Sequence, residues 1–137
     1  MSPVPRADRR TPLGRRPARV SWRASEMAPL EVTAEQHPGQ TRVVLIGELD
    51  IDSAGGFEDQ LAAVEVDSPS ILVLDLRRVE FVDSTGLRAV IAADERARSQ
   101  GRRLAVVSGP NAVARLLEVT QLDQRLEIVD DPDAVST

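Results

Sequence analysis

The chain contains no cysteine, no lysine and no tyrosine. Without cysteine there is no disulfide, no thiol nucleophile and no cysteine-ligated zinc. Without lysine there is no amine nucleophile, and all 17 basic residues are arginine. Aromatic residues are nearly missing too: Trp22, Phe57 and Phe81 are the whole set. Single-stranded nucleic acid therefore finds no stacking platform, and Val, Leu, Ile and Ala must fill the interior. The one histidine, His37, stands in His37-Pro38-Gly39 and reads as a turn residue rather than a metal ligand. No metal and no cofactor is expected. No run approaches the ~18 apolar residues of a membrane span, and no apolar segment follows the N-terminal arginines. The expected location is the cytoplasm, with no membrane partner.

What remains is the composition of a single soluble domain: 137 residues, 42% hydrophobic and 28% charged. The charge is unevenly placed. Seven arginines precede Met27, against Asp8 and Glu26 alone, whereas the rest carries 10 arginines against 20 acids, a net charge of −10. A body this acidic repels nucleic-acid phosphates, so no direct nucleic-acid binding is expected, and a basic protein partner suits it better. Residues 1–27, rich in Arg and Pro with almost no apolar periodicity, are expected to form a disordered extension, and 28–137 the folded domain. The extension reads either as a basic arm or as a dispensable addition.

From Leu30 the pattern is regular. Leu30 to Glu35 alternates apolar and polar residues as a half-buried strand does. His37-Pro38-Gly39-Gln40 fits a type II turn, and Thr41 to Leu49 returns as the second strand of a hairpin. Asp52 and Ser53 are placed to cap a helix in which Phe57, Leu61 and Val64 share a face. Ser70 to Leu76 is a nearly continuous apolar strand. A second helix is expected from about Thr85 to Ser99, with Leu87, Val90 and Ile91 inward and Asp94 to Arg98 mostly outward. Leu104 to Val107 is a strand, Val113, Leu116 and Leu117 mark a third helix, and Leu126 to Val129 is a short edge strand. The order is β-β-α-β-α-β-α-β: an α/β fold with a mixed sheet of about four to five strands and helices packed on it. No long hydrophobic face is left over, so the free chain is expected to be a monomer.

The informative segment is Phe81-Val82-Asp83-Ser84-Thr85-Gly86-Leu87, between the central strand and the second helix. Ser84 falls at or beside the N-cap, where unpaired N–H groups and the helix dipole favour negative charge. A phosphoryl group there would add about −1.5 to −2 charge, beside Asp83 and, if the hairpin ends nearby, close to Asp50 and Asp52. A plain N-cap serine, and a Gly86 kept for close helix–strand packing, are the structural readings of the same residues. An enzymatic reading would use Asp50, Asp52, Asp75 and Asp83 at strand ends to hold Mg²⁺ or to carry a phosphoaspartate. A phosphoaspartate site wants a lysine that this chain lacks, and Arg77-Arg78 gives Asp75 a ready charge partner. Gly55-Gly56 lacks the lysine and the spacing of a phosphate-binding loop.

Three segments together, Gly47-Glu48-Leu49-Asp50, Leu74-Asp75-Leu76 and Phe81-Val82-Asp83-Ser84-Thr85-Gly86-Leu87, make the chain resemble the STAS domain of anti-sigma factor antagonists over about residues 30–131. The resemblance implies a STAS-type sheet and a non-enzymatic partner switch. It implies that Ser84 is the phosphoacceptor of an anti-sigma factor that is also a serine kinase of the GHKL type, with a PP2C-type phosphatase restoring the hydroxyl. The unphosphorylated form would bind that partner and free the sigma factor. Asp50, Asp83, Ser84, Thr85 and Gly86 would form the partner-binding surface. The segment before Met27 and the short tail after Asp131 depart from the family pattern. STAS-like modules that serve as accessory or sensor parts of other complexes, in lipid transport for example, need no phosphoserine cycle and form the rival reading.

Overall fold

The structure, a computed structural model, describes residues 19–23 and 30–135. Six strands lie in one sheet in chain order: β1 (Arg19–Arg23), β2 (Leu30–His37), β3 (Gln40–Leu49), β4 (Ile71–Val82), β5 (Arg103–Val107) and β6 (Glu127–Val129). β1, β2 and β3 pair antiparallel; β3 to β6 run parallel. Two residues, Pro38 and Gly39, suffice to turn β2 into β3, and Gly39 takes the positive φ of 82° that the third position of a type II turn requires. Parallel neighbours need longer crossovers. Helices α1 (Ala54–Glu65), α2 (Ser84–Ser99) and α3 (Ala112–Val119) supply them.

The sheet has two unequal faces. Leu30, Val32, Val43, Leu45, Leu72, Leu74, Leu104 and Val106 meet the buried residues of the three helices, Phe57 and Leu61, Val90 and Ala93, and Val113 and Leu117. This is the core, made of aliphatic side chains and one aromatic. The opposite face carries a smaller cluster, Ile71, Val73, Ala105 and Val107, closed by Val135 near the C-terminus. Gln40 holds that tail in place: its buried side-chain amide donates to the Pro132 carbonyl at 3.3 Å and the Val135 carbonyl at 2.6 Å. As the short sequence after Asp131 implied, the tail forms only a single 3₁₀ turn, Pro132–Ala134.

Four expectations need correction. Arg19–Arg23, expected to be disordered, form a strand on the edge of β2, in keeping with the alternation of Val20 and Trp22 with polar residues. The rest of the expected extension lies outside the described residues. β4 runs on to Val82 rather than stopping at Leu76, because register shifts opposite Val44/Ile46 and Gly47/Glu48 let Arg77, Arg78 and Glu80 bulge outward while Val79 returns to the core. Asp94 is turned inward and only 3% exposed. Arg98, one turn on, covers it with an Nε to Oδ2 hydrogen bond of 2.8 Å, which satisfies the buried carboxylate. Asp52 is no cap of α1: the N-cap residue is Ser53, and its side chain makes no capping bond.

One contact fixes where α2 begins. Gly86, in its first turn, lies against the end of β3. A Cβ there would collide with the Leu49 carbonyl oxygen and stand 2.9 Å from its carbonyl carbon and from Leu49 Cγ. Gly55, in the first turn of α1, has nothing within 4 Å of the same position. The two glycines should therefore respond oppositely to alanine. Gly86→Ala forces the helix off β3 and should cost about 1–3 kcal/mol, whereas Gly55→Ala should gain roughly 0.5–1 kcal/mol from the lower entropy of the unfolded chain. Urea midpoints of the two variants check both signs.

Candidate functional site

The C-terminal ends of β3 and β4 lie side by side, with Glu48 beside Phe81 and Leu49 beside Val82. The chain leaves β4 at Asp83 and enters α2 at once. Asp83 is the N-cap, with extended backbone, and its Oδ1 accepts from the Gly86 amide at 2.9 Å. Its Oδ2 accepts from the Ile51 amide at 3.0 Å, and its own amide donates to the Leu49 carbonyl at 3.3 Å. One residue thus caps the helix and ties it to the loop after β3, which is why the two acidic segments come together as expected.

Ser84 is the first residue of α2 and is exposed. The capping role that could have claimed its hydroxyl belongs to Asp83. The Ser84 and Thr85 amides, in the first turn, have no helical carbonyl to donate to, and the positive end of the helix dipole points the same way. Thr85 is half-buried and Gly86 buried. Of the three, Ser84 presents its side chain most openly, and Gly86 acts by allowing close packing.

The loop after β3 is built around Ser53. This residue is completely buried; its Oγ donates to the Glu48 carbonyl at 2.7 Å and accepts from the Asp50 amide at 3.0 Å. Asp50 Oδ1 in turn accepts from the Asp52 and Ser53 amides, both at 3.1 Å. The half-buried Asp50 carboxylate is therefore committed to shaping its own turn, and Asp52 is left exposed beside it. Ser53 was missed as an organiser. The signal was its place three residues after an aspartate, where side chains of both types bond back to the backbone. Two apolar side chains at this end were also overlooked, Ile51 (70% exposed) and Phe81 (50% exposed). They interrupt the acidic groups with exposed hydrocarbon.

Asp75 lies elsewhere. It is 6% exposed on the sheet face away from the helices, and Arg77 holds it with Nε to Oδ1 at 2.9 Å and Nη2 to Oδ2 at 2.7 Å. That bond to Asp75, against some desolvation, keeps the Arg77 guanidinium above its usual pKa. Both Asp75 oxygens are engaged, so the four aspartates of the metal or phosphoaspartate reading do not converge. Among the described residues no three His, Cys, Asp or Glu side chains are grouped to hold a metal ion. His37 ends β2 beside the turn, with Nε2 3.1 Å from Glu35 Oε1. No helix among the described residues is long and apolar enough to cross a membrane.

Comparison with known proteins agrees with this arrangement. The family described as Mlab, STAS domain, matches residues 32–130. RsfB, an anti-sigma-F factor antagonist of Mycobacterium tuberculosis, is 30% identical over 99 residues, which are 72% of this chain and 80% of that protein. An anti-sigma-B factor antagonist of Listeria monocytogenes is 29% identical over 86 residues, 63% of this chain and 75% of that protein. The crystal structure of an anti-sigma factor antagonist from Mycobacterium paratuberculosis superposes with a TM-score of 0.72 at 31% identity, over 84% of this chain and 94% of that one. With the fold, the Asp-Ser-Thr-Gly-Leu loop and these relatives in agreement, the chain belongs to the STAS domain family.

Proposed function

We propose that this protein is a cytoplasmic, non-enzymatic anti-sigma factor antagonist that works as a phosphoserine switch at Ser84. The observation that carries the reading is the exposed hydroxyl of Ser84 on the first residue of α2, with Asp83 rather than Ser84 serving as the cap. The relatives at 30% and 31% identity are named as antagonists of anti-sigma factors, which favours this reading over an accessory or sensor role in another complex.

In this scheme the partner is an anti-sigma factor with GHKL-type serine kinase activity. Unphosphorylated, the free monomer docks the ends of β3, β4 and α2 onto it, with Asp50, Asp83, Ser84 and Thr85 at the contact and Gly86 holding the helix close beneath. The sigma factor is released. Phosphoryl transfer forms a bond from Ser84 Oγ to the γ-phosphorus of ATP, breaks the bond to the β-phosphate oxygen and passes the hydroxyl proton to a base of the kinase. A PP2C-type phosphatase reverses the modification by hydrolysis.

The physics of the switch is asymmetric. Within the antagonist the new charge of about −1.5 to −2 sits at the positive end of α2, whose first amides can solvate it. Across the interface it meets a kinase site that still holds the phosphates of ADP, while Asp50, Asp52 and Asp83 already supply negative charge on the same side. At separations below the ~8 Å Debye length such repulsion is poorly screened. The fold tolerates the phosphate and the complex does not.

Wild type, Ser84→Ala and Ser84→Asp used as baits in cytoplasmic extract with ATP test this directly. Wild type should gain one phosphate by intact mass, Ser84→Ala should gain none and retain a GHKL-type kinase, and Ser84→Asp should lose that kinase. Equal recovery of the kinase by Ser84→Asp would sink the mechanism. Asp83→Ala should cost about 1 kcal/mol through the lost cap, and Asp83→Asn less, since an amide oxygen still accepts from Gly86. Urea unfolding measures both.

A further inference from the structure

β1 precedes residue 32, where the match to the STAS family begins. Its register against β2 is Arg19 opposite Glu35, Val20 opposite Ala34, Ser21 opposite Thr33, Trp22 opposite Val32 and Arg23 opposite Glu31. Both arginines of the strand thus stand at the register positions of the two acids of β2, four residues apart in each case. The apolar residues Val20 and Trp22 fall at the register positions of Ala34 and Val32, the second of which is a core residue. A slip of one residue would lose both matches.

The edge that β1 occupies is one that needs an occupant. β2 is eight residues long, contains no proline, and pairs with β3 without a register shift from Leu30 to His37. Uncovered, it would show a straight row of unused N–H and C=O groups of the kind that recruits other chains. A second copy of the same edge is a poor match: antiparallel pairing about Thr33 would set Glu31 of each copy against Glu35 of the other, and like charges directly opposite repel. The acidic body as a whole, with its net charge of −10 after residue 26, favours a basic strand.

We propose that the β2 edge is a docking surface for a basic strand, that its occupant is the chain's own Arg19–Arg23, and that the Arg–Glu register selects this strand and thereby closes the sheet to other chains. The folded unit then begins at residue 19, and the arginine-rich segment is a working part of it.

The pair Arg23–Glu31 offers the cleaner test, because Glu31 faces Ile46 on its other side, whereas Glu35 faces Arg42. Amide exchange of the full-length chain is followed by NMR in wild type, Arg23→Glu, Glu31→Arg and the double variant, with β5 amides as the control for global folding. Each single reversal should speed exchange of the β2 amides roughly tenfold or more without changing β5. The double variant, which restores opposite charges, should return it to near the wild-type rate. Unchanged exchange in the single variants, or a double variant as fast as the singles, overturns the proposal. Should a reversal unfold the chain, wild type alone decides: raising salt from ~0.05 to ~1 M screens the pairs and should speed β2 exchange selectively. β2 exchange indifferent to salt overturns the charge selection.

Discussion

Everything at the functional end of this molecule depends on how closely α2 approaches the end of β3. The Leu49 carbonyl accepts the Asp83 amide and at the same time occupies the space that a side chain at residue 86 would need. Asp83 then reaches in both directions, to the Gly86 amide within its helix and to the Ile51 amide across the gap. A helix start pinned at three points cannot drift. Ser84, the next residue, is consequently held at a fixed place near the loop after β3.

Several of the carboxylates in this acidic protein are spent on architecture. Asp50, Asp83, Asp75 and Asp94 each have oxygens engaged, the first two with backbone amides and the last two with arginines. Buried or half-buried carboxylates need such partners. What they leave for recognition is the negative potential of the surface, with Asp52 exposed within it and Ile51 and Phe81 adding apolar area. In the proposed switch, exposed hydrocarbon among acids would suit an apolar partner surface bordered by basic groups.

Loss of partners by one chain segment is made good by another throughout the sheet. The face opposite the helices is closed by a tail that Gln40 holds through two carbonyls, and the β2 edge is covered by a strand that precedes the family match. Both devices use residues at the two ends of the described sequence.

Much of this was legible in the residues themselves. The alternation of β2, the Pro38-Gly39 turn, the apolar run of β4 and the Asp83-to-Leu87 loop gave the element order from β2 onward, the fold class and the position of Ser84, because each is a local pattern with a local cause. The departures at β1 and β4 came from strand pairing distant in sequence, whereas those at Asp94 and Asp52 came from local geometry that residue type alone does not reveal. β4 was read short because Arg77, Arg78 and Glu80 end the apolar run, and only pairing with β3 reveals a bulge rather than a stop. Asp94 was read as outward because a charge normally is; burial became possible once Arg98 covered it. Ser84, read as at or beside the cap, lies directly after it, and Asp83 caps the helix through the Gly86 amide while its other oxygen accepts from Ile51. Sequence by itself therefore determined which elements form from Leu30 onward and which hydroxyl stands at the helix start, since turn chemistry and hydrophobic period act over a few residues. Tertiary structure alone decided which acids are spent on the backbone and which edge Arg19–Arg23 would cover, since those depend on strands and loops that meet only when the sheet closes.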